Sequence, residues 1–136
     1  MALSVVVKLL DADGTALVET KARHWHADSV RRELKDVKWI DVSQDLGFSD
    51  LITELDAATA LSLHECFRAG YLRWIAYYEN TASSYRTEGK IKHADDHAKI
   101  GEDDKAQLAA LDEIVRRAGA EGLKVRLLLE EWSSGY

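Results

Sequence analysis

The chain has 136 residues, 18 Lys plus Arg against 24 Asp plus Glu, a net charge of −6 and an apolar share of 46%. That length suits a single domain over 1–136 that buries a core without staples, and the ordinary composition excludes wholesale disorder. The acidic balance argues against a nucleic-acid binder, which would carry a basic face.

One cysteine, Cys66, leaves no internal disulfide to form, and its apolar neighbours Leu63, Phe67 and Tyr71 suggest a small packed side chain. His64 lies two residues away, too far round a helix to pair with that thiol. No stretch approaches the roughly 20 apolar residues of a membrane span. The N-terminus lacks a basic leader, so the expectation is a cytoplasmic protein. Proline is absent.

Residues 3–10, LSVVVKLL, are rich in β formers with both faces partly apolar, which fits a central strand. Asp11-Ala12-Asp13-Gly14 makes a turn, and a second strand over about 15–25 completes a hairpin. Asp28 or Ser29 would cap a short helix, SVRRELKDV. A short third strand follows at 38–43 and a loop at 44–47. Ser49 and Asp50 would open a helical turn carrying Leu51, Ile52 and Leu55.

Residues 57–79 give the strongest helical pattern. Leu61, Leu63, Phe67, Tyr71, Leu72, Trp74, Ile75 and Tyr78 cover about half the wheel, as in a helix buried on more than one side. Residues 81–103 are polar and read as a mobile segment, or as a helical extension broken at Gly89 and Gly101. Asp103 and Asp104 then cap a helix that Gly119 ends. A last strand, LKVRLLLEEW, alternates apolar and polar positions. The expected fold is α+β: a small, mainly antiparallel sheet from the N-terminal hairpin, the short third strand and the C-terminal strand, packed against a long central helix and a second C-terminal helix.

Four constellations could carry chemistry. His93 and His97, at helical i and i+4, could share a Zn or Fe ion with Asp96, and His24 and His26 could add imidazoles from one strand face. Metalloprotease helices carry Glu after the first His, where this chain has Ala94. His64, inside the apolar arc, reads as a buried histidine bonded to a neighbour, or as a pocket base. Asp11 and Asp13 fit turn chemistry, since an EF-hand needs further ligands and a Glu where position 22 is Ala. Glu88-Gly89-Lys90 with Asp41 would suit a metal nuclease only if Glu88 lay on a strand. No nucleophile elbow, phosphate loop or CxxC is present.

The acid run weighs most. Asp95, Asp96, Glu102, Asp103 and Asp104 face one Lys99, a net of four of the chain's six negative charges. With Tyr77 and Tyr85 as aromatic anchors, and Trp132 and Tyr136 as further candidates, this predicts a surface for a basic protein partner. The function expected is that of a non-enzymatic, acidic protein-binding module, such as an immunity protein that inhibits a basic toxin. The alternatives are a small metal-binding protein or metal-dependent enzyme using His93 and His97, and a homodimer or adaptor that self-associates through the central helix.

Overall fold

The computed structural model describes residues 2–42 and 50–132. In chain order these form β1 (Ala2–Leu10), β2 (Ala16–Lys21), α1 (Ala27–Glu33), β3 (Ile40–Asp41), β4 (Leu51–Leu55), α2 (Ala57–Thr87), α3 (Ile91–Glu121) and β5 (Lys124–Trp132). The strands make one antiparallel sheet in the order β2-β1-β5-β4-β3. The α+β architecture read from the sequence is therefore the observed one, and its sheet has one strand more than expected. The expected loop at 44–47, Ser49, Tyr136 and the Trp132 side chain lie outside the described residues.

Alternation sorts the sheet into two faces. Val5, Val7 and Leu9 of β1 sit opposite Leu129, Leu127 and Val125 of β5, and all six are buried against the helices. On the outer face Lys8 pairs in register with Glu19 and Arg126, and both neighbours belong to ion pairs, Lys8–Glu19 and Arg126–Glu54. The turn 11–14 forms as the aspartates require: Oδ1 of Asp11 accepts from the amides of Asp13 and Thr15, both at 2.9 Å.

Three elements differ from expectation. Residues 51–55 are strand, not helix: Leu51, Thr53 and Leu55 face the helices against Leu129, Leu127 and Val125. A short apolar run fits either periodicity, and pairing with β5 decides it. β2 ends at Lys21, so His24 and His26 do not share a strand face; His24 turns inward and His26 is exposed. α1 begins after His26 with no side-chain cap, so neither Asp28 nor Ser29 caps it.

The largest difference is at 81–104. α2 runs unbroken to Thr87, and α3 runs from Ile91 through Gly101 and Gly119 to Glu121, each helix 31 residues long and about 46 Å. Asp103 and Asp104 are mid-helix, so they cap nothing. Only Gly89 breaks the pair; its φ of 78° turns the chain back in a region that other residues enter at a cost. The seam follows steps of three and four, alternating on α3 and with one repeated four at Phe67, Tyr71 and Ile75 on α2: Ala94, His97, Gly101, Asp104, Leu108, Leu111, Val115 and Ala118 on α3 meet Ala60, His64, Phe67, Tyr71, Ile75, Tyr78, Ala82 and Tyr85 on α2. A Cβ on Gly101 would lie 3.3 Å from Cβ of Tyr78, so the helices meet closely there.

The sheet covers only part of this hairpin. The helix residues in the common core come from 60–75 and 108–118. Toward the turn, the helices pack on each other. Cys66 is exposed, contrary to its apolar sequence neighbours, and Leu61, Leu72 and Trp74 of the expected apolar arc are 42–47% exposed.

Candidate functional site

Beyond Lys21 the chain lies along the groove between α2 and α3. Trp25 is buried and stacks on Phe67, with ring centroids 5.5 Å apart. His24 stacks on Trp74 at 5.5 Å and 4° from parallel, and meets Tyr71 edge-on at 4.8 Å. Arg23 turns to α3. There Asp104, fully buried, accepts from Nε of Arg23 at 3.1 Å, from its Nη2, and from Nε2 of His24 at 2.9 Å. Gln107 Oε1 accepts from the Arg23 amide at 3.0 Å and the Tyr71 hydroxyl at 2.7 Å. Burial pushes the Tyr71 hydroxyl up to about 12, and the charge of Asp104 pushes it the same way.

A second buried imidazole, His64, donates from Nε2 to Asp112 at 2.6 Å, and Arg68 reaches both oxygens of that carboxylate at 3.3 and 3.4 Å. Burial raises the Asp112 pKa, but the bonds from His64 and Arg68 outweigh it and hold the carboxyl below the usual range. Both histidines are thus fixed by an aspartate of α3, and among the described residues no serine or thiol is bonded to either.

The groove continues past His24 toward the turn without the 22–26 segment. Its rings follow one another: Trp74 with Tyr77 at 5.5 Å and Tyr78 at 5.8 Å, Tyr78 with His97 at 6.1 Å, His97 with Tyr85 at 5.1 Å and Tyr85 with His93 at 5.4 Å. Tyr77 is 51% exposed and Trp74 42%. Tyr85 is half-buried, with Lys90 over its ring at 5.9 Å.

The five acids of the run separate in space. Asp104 is interior, so it is no part of any exposed acidic surface. Asp95 pairs with Arg86, and Glu102 shares Lys105 with Glu79. Asp96 and Asp103 are exposed and carry no hydrogen bond or ion pair among the described residues. They lie within about 60° of Ile100 around α3, and Arg23 bonds the Ile100 carbonyl. Their side of α3 is therefore the side that the 22–26 segment occupies.

The metal set does not assemble. Nδ1 of His97 donates to the His93 carbonyl at 2.9 Å, and the two rings flank Tyr85. Among the described residues no three of His, Cys, Asp and Glu gather as a metal ion requires, and His24 is committed to Asp104. Glu88 and Lys90 pair with each other at 3.4 Å at the helical turn, not on a strand, so the nuclease arrangement with Asp41 is absent there. An open hollow of about 450 Å³ beside β3 and β4 is lined by Val37, Lys38, Ile40, Ile52, Thr53 and the Glu54–Arg126 pair; the Thr53 hydroxyl is spent on the Lys38 carbonyl at 2.9 Å, and the described lining holds no thiol or imidazole.

Among the described residues no helix is long and apolar enough to cross a membrane. No protein-family model matches the chain, and no curated protein or solved structure does.

Sequence reasoning named Tyr77, Tyr85 and the acids, but missed Trp74 as an exposed ring and Arg23, His24 and Asp104 as one network. Partners 80 residues apart leave no local signal. The available hint was Arg23-His24-Trp25 itself, a cation and two planar rings just past a strand.

Proposed function

We propose that this chain is a protein-binding module that takes a basic segment of a partner protein on the uncovered half of the α2–α3 groove. One observation carries the reading: the exposed rings of Trp74 and Tyr77 share a groove with two exposed carboxylates, Asp96 and Asp103, that have no partner among the described residues. Aromatic faces attract cations, and exposed contacts of this kind contribute about 0.5–1 kcal/mol each. The carboxylates add charge that speeds encounter with a basic partner. The chain's own Arg23 and His24 occupy the adjoining part of the groove through the same chemistry, a guanidinium on a carboxylate and a planar ring on Trp74. An immunity protein that inhibits a basic toxin is the biological setting proposed for this surface.

The test is a titration of amide shifts with a short peptide alternating Arg and Gly, at low and high salt. Shifts at 74–81 and 96–103 that fade with salt and in the Asp96→Asn/Asp103→Asn variant are expected. The same peptide with Glu in place of Arg should move none of them. Equal shifts with both peptides, or shifts confined to another surface, overturn the reading.

A further inference from the structure

Two leucines of the central helix stand about half exposed among the described residues. Leu61 is 45% exposed and Leu72 47%. They lie eleven positions apart, within about 20° of each other around α2 and about 16 Å apart along it. Ala58, Glu65, Arg68, Ala69 and Ala76 are exposed between and beside them. This stripe is about 150° round the helix from Tyr77, so it is a different surface from the aromatic groove.

Its order is palindromic: Leu61, Glu65, Arg68, Leu72, with steps of four, three and four. An antiparallel helix pair related by a two-fold axis between positions 66 and 67 sets each residue against its mirror in the series. Leu61 then faces Leu72 of the partner subunit, and Glu65 faces Arg68 of the partner subunit. Every contact occurs twice, as an isologous interface requires. Steps of three and four are also those that seat side chains of one helix between those of another.

The charges within one protomer fit this use. Glu65 and Arg68 stand at i and i+3, a spacing that commonly pairs on one helix. Here they do not pair. Arg68 turns to Asp112 at 3.3 and 3.4 Å, long bonds that leave donors of its guanidinium over. Glu65 has no hydrogen bond or ion pair in the described structure. An unpaired acid and an under-used base are set between two exposed leucines.

We infer that this face of α2 binds a second copy of the chain, in an antiparallel two-fold dimer with Leu61 against Leu72 and Glu65 against Arg68. With two leucines per subunit at its centre the contact is small, and the dimer is weak, dissociating at about tens of micromolar.

Sedimentation from low micromolar to millimolar concentration tests it, together with cysteine mapping of the register. The wild type should pass from monomer to dimer. Glu65→Lys, an exposed change that leaves the fold intact, should raise the dissociation constant about tenfold or more, since it sets two cations face to face. In a Cys66→Ser background, a mixture of the Leu61→Cys and Leu72→Cys proteins should cross-link, and either protein alone should not. A monomer throughout, a dimer indifferent to Glu65→Lys, or cross-linking within the Leu61→Cys protein alone would overturn the inference.

Discussion

His24 lies parallel to the indole of Trp74, 5.5 Å between ring centroids, while its Nε2 bonds the buried carboxylate of Asp104 at 2.9 Å. One imidazole therefore ties the end of the sheet's edge hairpin to both long helices. It also ends the covered part of the groove.

The carboxylate of Asp104 is fully buried and accepts from two side chains of the 22–26 segment. An amide at that position cannot accept on both sides, and its NH2 would meet a donor. Asp104→Asn is expected to lower stability by about 2 kcal/mol, read as a reduced urea midpoint with an unchanged slope. Amide exchange should quicken at 22–26 before it does elsewhere. A midpoint equal to the wild type would refute the network's structural role.

Tyr71 supplies an alkaline test. Its ordinary value is 10.0, and in the fold it stands at about 12, chiefly through burial. The folded chain holds that proton longer than the unfolded chain. The stability linked to it is complete below about pH 10 and is lost as pH rises toward 12. Tyr71→Phe should lack the late tyrosinate absorbance step near 12, and its stability should fall less steeply over that interval.

Asp112 supplies the acid counterpart. Its folded value lies below the ordinary carboxyl value of 3.8, because burial, which raises it, is outweighed by the bonds from His64 and Arg68, so the unfolded chain takes up the proton first as pH falls. The linked stability is present above about pH 4 and disappears as pH drops through the folded value. Asp112→Asn should flatten the acid limb of a stability-against-pH curve. An acid limb as steep as that of the wild type would remove Asp112 from the account.

Trp74 and Tyr77 should part company under mutation. Trp74 stacks on His24 as well as facing the groove, whereas Tyr77 is the more exposed and, among the described rings, meets Trp74 and Tyr78. Trp74→Ala should cost about 1 kcal/mol of stability and weaken the basic-peptide titration. Tyr77→Ala should weaken the titration while thermal unfolding stays at the wild-type temperature.

The strands were legible where alternation was long. Residues 3–10 and 123–132 read correctly because each carries three alternating buried apolar side chains, Val5, Val7 and Leu9 in one and Val125, Leu127 and Leu129 in the other, whereas 51–55 is too short for its period to speak. The far half of the helical hairpin was illegible to a hydrophobicity count. Its seam uses Ala82, Ala94 and Gly101, which close the gap between helices by being small rather than apolar. The three-four spacing was the surviving signal. The acid run needs its neighbours in space to be weighed: Asp104 turns inward, and Asp95 and Glu102 meet Arg86 and Lys105 of the same chain, so a linear count overstates the free charge on this helix.

The strand order has a consequence for how the chain assembles. β5 lies between β1 and β4, so without it the pairs β1–β2 and β3–β4 share no hydrogen bonds. It is also the last strand in sequence. The helical hairpin closes through a three-residue turn and needs only near neighbours, so its contacts form early. The sheet waits for residues 124–132. Until they insert, β1 offers an unpaired edge and the uncovered row Val5, Val7 and Leu9, the kind of surface that pairs with a foreign strand. The nine residues of β5 thus separate a folded molecule from one primed to aggregate.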